Sequence, residues 1–408
     1  MEKVAITGQG VISSLGTKIK EFGSRLDACE IQSGPAPWMD EKGVDNAFCS
    51  AITGFDPREW MGDRIVNGTD PFAQYAIAAA VEAVEDSGIE RLDPQRTAVV
   101  IGTSMAGAAS LLAAQEGYDR QGYEGVPRKL QLTAWPNMAA AHIALRWKLH
   151  GPLLTVSTAC ASSLDAIGMA ARMVESGIVD VAIAGGTDYG QAKVSQLSAI
   201  RYGMSPTHVS DPHMVCRPFD RNRVGVIGGE GAGIVVLEHR DHATARGATV
   251  HGMFRGYGSL SDAFHPSSPD PTGDWEVAAM EAAQQEAGLA PGDIAAVVAH
   301  GTGTPVGDAA EIRAINRVFA DKGADVAATS IKGNVGHTAG AAGVMGLMAG
   351  LHSMQAGALV PTASTTDLDG EIRFHVPLRE PSSIDIGAFQ VNGFGFGGQN
   401  ASIVVSHA

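Results

Sequence analysis

Short, continuous apolar segments alternate along this chain with longer alanine-rich segments, and this alternation constrains the fold more than any other feature. The short segments have the length and composition of strands buried on both faces. The long segments have the Ala, Leu and Met content of helices, and several end at glycine, a common helix stop. Strands that alternate with helices predict an α/β protein. The predicted strands lie at 4–7, 98–102, 179–186, 232–238, 295–301 and 401–408, and the predicted helices at 70–88, 162–177, 274–288 and 341–357.

Two pairs of segments indicate an internal duplication. AVVIGTSMAG (98–107) resembles AVVAHGTGTPVG (296–307), and TVSTACASSLDAIGMAARMVESG (155–177) parallels ATSIKGNVGHTAGAAGVMGLMAG (328–350). The two segments of the first copy lie further apart than those of the second, so the first copy carries an insertion. Such patterns also recur in α/β proteins without duplication. We nevertheless expect an N-terminal half over 1–245 and a C-terminal half over 246–408.

The charge balance and the cysteine content exclude several classes of protein. The 408 residues include 29 Lys and Arg against 44 Asp and Glu, a net charge of −15, which argues against a nucleic-acid partner. The N-terminus has no charged region followed by an apolar one, and no run of about 18 apolar residues occurs, so we expect neither an export signal nor a membrane span. Four scattered cysteines then predict reduced thiols in a cytoplasmic protein.

Cys160 lies in VSTACASSL (156–164), where a predicted buried strand turns into a predicted helix. A helix N-terminus presents unpaired N–H groups and a positive dipole end. We therefore expect a lowered thiol pKa and a nucleophilic sulfur at this position, among small neighbours that leave room for a carbonyl group. A buried, inert cysteine is the alternative.

Two histidines and a lysine occupy comparable positions in the second copy. His300 follows a predicted strand and precedes a Gly/Thr turn, whose glycines would let the backbone approach a ligand closely. His337 is predicted to open the helix of the second repeat, at the place that Cys160 holds in the first. There the dipole should keep the imidazole neutral, as a hydrogen-bond donor. Lys332 lies in small, apolar sequence and needs a partner, for which Glu311 is the candidate. A hydrogen-bonded core histidine is the alternative at position 300.

The segment NGFGFGGQN (392–400) alternates glycine with Phe394 and Phe396 just before the last predicted strand. This composition is not that of an ordinary strand or helix. It predicts a glycine-hinged loop that presents the two phenylalanines and offers backbone N–H groups to an oxyanion. A glycine-rich turn with its phenylalanines packed in the core is the alternative.

Together these motifs resemble those of the β-ketoacyl-acyl-carrier-protein synthases, the condensing enzymes of the thiolase-like fold. The resemblance rests on VSTACASS, HGTGTPVGDAAE, SIKGNVGHTAGAAG and NGFGFGGQN, which occur in this order in a likeness that runs from residue 3 to residue 406. It implies a duplicated five-layer αβαβα fold and a decarboxylative condensation of an acyl chain with a malonyl extender. It also implies substrates held on the phosphopantetheine of an acyl carrier protein, with no metal and no other cofactor.

The resemblance also implies roles for the reacting residues. Cys160 matches the nucleophile that accepts the acyl chain as a thioester. His300 and His337 match the two histidines that assist decarboxylation and stabilise the enolate. Lys332 matches the lysine that supports this site together with Glu311.

Further matches concern the oxyanion hole and the carrier arm. The backbone N–H groups of Cys160 and Phe396 match the oxyanion hole. Phe396 matches the phenylalanine that gates the thioester, and Phe394 its neighbour on the same mobile loop. Thr302 and Thr304 match the threonines that contact the phosphopantetheine.

Three departures from the common pattern favour a ketosynthase of a discrete-subunit bacterial polyketide or polyene pathway over the elongating synthase of fatty-acid synthesis. Gly393 stands where serine is usual, and Val226-Ile227 where Phe-Val is usual. The stretch 60–70, which is rich in Lys and Arg in housekeeping enzymes, has Arg64 as its one basic residue. LDAIG after the nucleophile points the same way. Docking of an acidic carrier then needs another basic patch, and the candidates are Arg128, Lys129, Arg217, Arg221 and Arg223.

The resemblance further implies a dimer, formed either by two copies or with a paralogue of the chain-length-factor type, through insertions in the N-terminal half. The apolar segment 138–147 is a candidate for that interface. Two other classes remain as alternatives. A thiolase would need a second catalytic cysteine near the C-terminus, and no cysteine follows Cys216. A non-catalytic partner or binding protein would tolerate loss of the nucleophile or the histidines, which this chain keeps.

Overall fold

A computed structural model describes residues 3–38 and 41–408. Within them, the strands are β1 (Val4–Ile12), β2 (Gly34–Pro35), β3 (Phe48–Ser50), β4 (Thr97–Gly102), β5 (Leu153–Val156), β6 (Val181–Asp188), β7 (Gly228–Gly229), β8 (Gly231–His239), β9 (Gly252–Ser261), β10 (Ala296–Val298), β11 (Ala327–Thr329), β12 (Ala358–Leu359), β13 (Ser382–Ser383), β14 (Ala388–Gly395) and β15 (Gln399–Ser406). The helices are α1 (Ile19–Asp27), α2 (Asp63–Val66), α3 (Pro71–Ser87), α4 (Ala108–Gln121), α5 (Leu130–Ala134), α6 (Met138–Trp147), α7 (Ser162–Glu175), α8 (Lys193–Tyr202), α9 (Arg240–Ala245), α10 (Asp274–Ala287), α11 (Pro305–Val318), α12 (Lys332–Val335) and α13 (Ala342–Ala356).

Ten strands form one sheet, in the order β11-β10-β14-β15-β9-β1-β8-β6-β4-β5. Its middle is the antiparallel pair β1 and β9, in which Ala5 lies opposite Met253. Outward from this pair, the two half-sheets repeat one pattern. In each, an antiparallel pair (β8–β6 or β15–β14) comes first, and beyond it lies a central strand (β4 or β10) that runs parallel to both of its neighbours. The predicted duplication is thereby confirmed.

Helices cover and separate the two half-sheets. α7 packs on β4 and β6, α13 packs on β10 and β14, and the two helices lie side by side between the half-sheets. α3 and α6 cover the outer face of the first half-sheet, and α10 and α11 that of the second. The layers therefore follow the order αβαβα, as the resemblance implies.

The small residues of α7 and α13 allow these helices to be buried from both sides. A Cβ atom on Gly168 would lie 2.5 Å from the ring of Tyr257, and one on Gly350 would lie 2.2 Å from the ring of Phe389. Larger residues at either glycine would push the helix away from its sheet. The central helix pair thus depends on glycine, which explains its unusual composition.

α3 shows how the sequence sets the bounds of an outer helix. The side chain of Asp70 accepts a hydrogen bond from the Phe72 N–H, and Pro71 occupies the first helical position. Gly88 ends the helix in the left-handed conformation, at φ 64°. In the part of the chain that the structure describes, no helix is both long and apolar enough to cross a lipid bilayer.

Candidate active site

The turn that carries Cys160 links β5 to α7 through a 3₁₀ turn over Ala159–Ala161. Ala159 has φ 50°, a left-handed conformation that is unfavourable for a residue with a Cβ atom. Its carbonyl oxygen accepts hydrogen bonds from Ser104 Oγ at 2.8 Å and from Ser162 Oγ at 2.6 Å. These bonds hold Cys160 at the start of the central helix.

The second half of the molecule contains the same turn. Ala339 has φ 49° and begins a 3₁₀ turn that leads into α13. Since Ala339 corresponds to Ala159, the equivalent of Cys160 is Gly340. The sequence-based placement of His337 at the position of Cys160 is therefore wrong by three residues, because α12 shifts the register between β11 and the second turn.

Cys160, His300 and His337 come together at the ends of these turns. His337 Nε2 lies 3.0 Å from Cys160 Sγ, and the sulfur and one nitrogen of each histidine all lie within 4.8 Å of one another. The two imidazole rings are 5.4 Å apart between centroids. Cys160 thus lies beside two histidines of the second half, of which His337 is 177 positions away in sequence.

Hydrogen bonds fix the hydrogen positions on both histidines. The Ala339 N–H donates to His337 Nδ1 at 3.1 Å, so the hydrogen of a neutral His337 is on Nε2, which faces the sulfur. Lys332 Nζ lies 3.4 Å from His300 Nδ1. Because an ammonium group can only donate, the hydrogen of His300 is also on Nε2. Both imidazoles are then hydrogen-bond donors through Nε2.

Burial keeps both histidines neutral. Burial and the Lys332 charge lower the pKa of His337 to about 3. The same two causes, together with His337, hold the pKa of His300 well below its usual value. The predicted neutral state of His337 is confirmed, but burial and Lys332 account for it rather than the helix dipole.

The thiol of Cys160 differs from the sequence-based expectation. Burial raises the pKa of Cys160 to about 11, and this effect exceeds the opposing influence of the Lys332 charge and of the backbone N–H groups of Phe396 and Cys160. The predicted lowering of this pKa is therefore wrong. In the resting site, a neutral thiol faces a neutral imidazole.

This charge state predicts the pH dependence of alkylation. Only a thiolate reacts rapidly with iodoacetamide, so the second-order rate constant at Cys160 should keep rising between pH 7 and pH 9.5, below the pKa of about 11. Peptide mapping of the carbamidomethyl adduct measures this rate. A plateau near neutral pH would show that the thiolate already forms there.

Lys332 lies beneath the histidines and does not pair directly with Glu311. Its ammonium group donates to the His300 carbonyl oxygen. The Glu311 carboxylate instead accepts the N–H groups of His300 at 2.8 Å and Gly301 at 2.6 Å, and the side-chain amide of Asn392 at 3.2 Å. The predicted direct ion pair is therefore wrong: Glu311 influences Lys332 through space and fixes the backbone that carries His300.

The Gly/Thr turn after His300 wraps around a second buried carboxylate. Asp308 accepts the N–H groups of Thr302 at 2.8 Å and Gly303 at 3.0 Å, so these groups are not free to bind a ligand. The side chains of Thr302 and Thr304 lie together, 2.8 Å apart between their oxygens. The turn thus offers hydroxyl groups, and its glycines allow other segments to come close: a Cβ atom on Gly301 would lie 2.7 Å from Ser330 Cβ, and one on Gly303 would lie 2.9 Å from the Arg217 nitrogen.

The phenylalanine segment forms a β-hairpin rather than the predicted loop. Phe394 lies within β14 and is buried, 6.0 Å from the His300 ring, whereas Phe396 lies in the turn before β15 and is 47% exposed. A Cβ atom on Gly395 would lie 2.9 Å from the Thr158 carbonyl oxygen and 3.0 Å from the Cys160 nitrogen. Glycine is needed here because the hairpin rests on the nucleophile turn.

Asp188 is a further residue of this site that the sequence analysis missed. Its buried carboxylate accepts the N–H groups of Ser104 at 2.9 Å, Met105 at 2.8 Å and Gly340 at 2.6 Å, and the hydroxyl of Thr103 at 2.9 Å. It thereby joins the first half to the second turn. A carboxylate at the end of an apolar strand, as in VDVAIAGGTD, is the signal that could have revealed it.

A sulfur and two imidazole nitrogens at these distances are also ligands that zinc accepts. The ammonium group of Lys332 beside His300 is unfavourable for a second cation at this place. The absence of a metal remains a prediction from the resemblance.

Both halves of the chain match models of one protein family. The model of the β-ketoacyl synthase N-terminal domain matches residues 1–243, and that of the β-ketoacyl synthase C-terminal domain matches residues 251–366. The chain belongs to the β-ketoacyl synthase family. It is an acyltransferase of the condensing type, a ketosynthase. Among curated relatives, the 3-oxoacyl-[acyl-carrier-protein] synthase 2 of Coxiella burnetii is 33% identical over 416 residues, covering 100% of this chain and 99% of the relative. That of Rhizobium meliloti is 33% identical over 429 residues, covering 99% of each.

Solved structures agree with this assignment. The ishigamide ketosynthase/chain length factor matches with a TM-score of 0.92 and 30% identity, over 100% of this chain and 99% of that one. A β-ketoacyl synthase from Burkholderia phymatum STM815 matches with a TM-score of 0.90 and 30% identity, over 100% of both chains. The ketosynthase family accounts for both halves of the molecule.

Proposed function

We propose that this ketosynthase extends a hydrocarbon acyl chain, held as a thioester on Cys160, with a malonyl unit on a carrier protein, in a bacterial type II polyketide or polyene pathway. The observation that carries the chemistry is the placement of Cys160 Sγ against two neutral imidazoles, both of which donate through Nε2. A nucleophile with two aligned donors suits acyl transfer followed by enolate formation.

In the first step, the Cys160 sulfur attacks the acyl thioester of the carrier. The oxygen of the tetrahedral intermediate accepts hydrogen bonds from the Cys160 and Phe396 N–H groups, which converge on this sulfur. The proton of the thiol leaves with the phosphopantetheine sulfur, so the carrier departs as a thiol. No charged base is needed at His337.

In the second step, the malonyl thioester loses its carboxylate as CO₂. The electron pair of the broken bond forms an enolate, whose oxygen accepts hydrogen bonds from His300 and His337. The enolate carbon attacks the Cys160 thioester, and the carbon–sulfur bond breaks. The product is a β-ketoacyl carrier, and the Cys160 sulfur takes up a proton. We assign Lys332 to holding His300 neutral and aligned, and Thr302 and Thr304 to contacts with the phosphopantetheine arm.

A cavity of about 130 Å³ opens beside His337 and suits the acyl chain. Val226 and Ile227 contribute to its wall, so the departure from the common Phe-Val pair lies where an acyl chain would lie. Valine is smaller than phenylalanine, so it occupies less of the space beside the cavity than the usual residue would. Trp38 and Phe48 line another part of the wall.

The hydrogen bonds of the wall favour a hydrocarbon over a polyketo chain. Each polar side chain that lines the cavity away from His337 donates to a protein acceptor: Trp38 to Gln196, Gln196 to Gly190 and Gln191, Asn46 to Thr207, Ser205 to Val226, and Ser195 to Met105. A poly-β-keto chain brings carbonyl acceptors, and each one buried without a donor costs about 1–3 kcal/mol. A saturated or conjugated chain has no such requirement.

Fatty-acid elongation is the second candidate, because a saturated acyl chain also suits this cavity. The relatives named 3-oxoacyl-[acyl-carrier-protein] synthase 2 favour this candidate. The departures at Gly393 and Val226 favour the polyene pathway. Rates with saturated and conjugated acyl carriers of equal length separate the two candidates. Faster acylation by saturated chains would favour fatty-acid elongation.

A Val226→Phe variant is expected to prefer shorter acyl chains. The added ring would fill part of the cavity, so acylation by the longest chain that the native protein accepts should fall about tenfold or more, while short chains react normally. Val194→Phe is the matched control, because Val194 lies on α8, beside the cavity, but points a mostly exposed side chain to solvent. An unchanged chain-length profile in Val226→Phe would place the acyl chain elsewhere.

The structure separates the candidate basic patches for carrier docking. Arg217 pairs with Asp220, Arg221 with Asp367 and Arg223 with Asp369. These three arginines are already neutralised.

Arg128 and Lys129 are exposed, in the segment between α4 and α5. We therefore assign docking of the acidic carrier to Arg128 and Lys129. Charged side chains of this kind chiefly accelerate association.

Reversal of both charges, in Arg128→Glu/Lys129→Glu, should raise KM for the acyl carrier about tenfold and leave kcat nearly unchanged. Acylation by an uncharged pantetheine thioester, which lacks the carrier, should be unaffected. Lys20→Glu changes an exposed charge elsewhere and provides the control. Equal effects on the carrier and the pantetheine substrate would contradict this docking site.

We also propose that the chain forms a dimer through the free edge of the sheet at β5. This terminal strand carries Leu153, which is 44% exposed, and it leads directly to Cys160. Large apolar residues are also exposed on α4, on α5 and directly after it, and on α6, which packs on β5: Leu111, Leu132, Trp135 and Leu145. Sedimentation of the purified chain tests this proposal: a dimer of one chain indicates a homodimer, and a monomer that dimerises only with a co-expressed paralogue indicates a heterodimer.

A further inference from the structure

Asp165 connects the turn that carries Cys160 to the other half of the molecule. This residue lies in the first turn of α7, and it is 4% exposed. Its Oδ2 accepts a hydrogen bond from Thr158 Oγ1 at 2.5 Å, and its Oδ1 accepts one from the Tyr257 hydroxyl at 2.5 Å. Thr158 lies two residues before Cys160, whereas Tyr257 lies on β9 of the second half-sheet. The carboxylate therefore bridges the two halves next to the nucleophile.

The duplication provides an internal comparison for this bridge. In the second turn, Thr338 corresponds to Thr158, and buried Met345 corresponds to Asp165. Ala339 nevertheless adopts the same left-handed conformation as Ala159. A carboxylate at this helix position is thus not required to form the turn. The carboxylate therefore occurs beside the turn that carries the nucleophile, and methionine takes its place in the other turn.

We propose that Asp165 is a positioning residue for Cys160, which keeps Thr158 in place so that the sulfur and the two oxyanion N–H groups hold their common orientation. The Thr158 carbonyl lies against Gly395, one residue before Phe396, so a shift of Thr158 would move both N–H groups relative to each other. The role in acyl transfer rests on the proposed function, whereas the mechanical role does not.

Two variants test the bridge from opposite ends. Asp165→Met introduces the residue of the second turn, and Tyr257→Phe removes a hydroxyl that is remote from the substrate. Misplacement of reacting groups by about 1 Å costs up to a hundredfold in rate, so we expect acylation of Cys160 to fall about ten- to a hundredfold in Asp165→Met and less in Tyr257→Phe. KM for the acyl carrier should stay unchanged. Addition of Tyr257→Phe to Asp165→Met should have no further effect, and Asp165→Asn should restore part of the rate.

Amide hydrogen exchange gives a second readout that does not depend on activity. Exchange in the peptide around Ala159–Ala161 should become faster in both variants, while the peptide around Ala339–Ala341 stays unchanged as an internal control. Native acylation rates and native exchange in both variants would overturn the proposal. Faster exchange in both turns would also overturn it, because it would indicate general destabilisation. If the native protein forms no acyl adduct, the proposed function fails, and exchange at the first turn still decides whether the bridge positions Cys160.

Discussion

Cys160→Ala is expected to abolish the acyl adduct that the native protein forms with an acyl carrier. Cys160 Sγ is the nucleophilic atom in contact with His337, and alanine supplies no group that could form a thioester. The loss should be complete within the detection limit of intact-mass spectrometry, since the covalent intermediate forms on the nucleophile that the substitution removes. The measurement is the mass of the protein after incubation with acyl carrier.

Cys29→Ala is the matched control for this loss. Cys29 is a second half-buried cysteine, outside the cluster of Cys160, His300 and His337. Its replacement should leave the adduct at the native level. An adduct that persists in Cys160→Ala, or one that disappears in Cys29→Ala, would contradict the assignment of the nucleophile.

His300→Ala is expected to separate the two steps of the reaction. Removal of one donor from an oxyanion site costs about a hundred- to a thousandfold in rate, so condensation should fall by this amount. Acylation of Cys160 should continue, because His337 and the backbone N–H groups still surround the sulfur. Single-turnover experiments with pre-acylated protein and malonyl carrier measure the second step alone.

His352→Ala provides the comparison for this variant. His352 lies on α13, and its Nε2 is 2.9 Å from the Asp27 carboxylate. It lies outside the cluster of Cys160, His300 and His337. Its loss should leave both steps near their native rates. If His300→Ala condensed at the native rate, His300 could not be a donor to the enolate.

The architecture could be predicted from the sequence because the central strands are apolar without interruption. The six predicted strands and four predicted helices all occur, and the two repeated segment pairs occupy equivalent places in the two half-sheets. Strands that are buried on both faces appear as continuous apolar runs, and their short length, bounded by turn residues, distinguishes them from buried helices. Glycine stops then set the helix ends, as at Gly88.

The electrostatics of the site could not be predicted from the same patterns. The pKa of Cys160 depends on how much protein surrounds the sulfur, and the helix start alone suggested a shift in the wrong direction. The partner of Lys332 depends on the path of the backbone at His300, where the carbonyl oxygen takes the place expected for Glu311. Both quantities come from contacts between distant segments.

The hairpin of Phe394 and Phe396 illustrates a related limit. Glycines at alternate positions usually weaken a strand, and the sequence therefore predicted a loop. In the structure, residue 395 lies in a strand, and it is glycine because the nucleophile turn comes too close for a side chain. The sequence alone does not show whether a position is glycine because a neighbouring segment leaves no room for a side chain or because the backbone must be flexible there.

We propose that Cys160 accepts an acyl chain and passes it to a malonyl-derived carbon. The most direct measurement is intact-mass spectrometry of the native protein and carrier, first with acyl carrier and then with malonyl carrier. We expect an acyl adduct on Cys160, followed by its loss and by a carrier that bears a β-ketoacyl chain two carbons longer, with release of CO₂. Absence of the adduct from the native protein, both alone and with a co-expressed paralogue, would show that Cys160 does not accept the acyl chain.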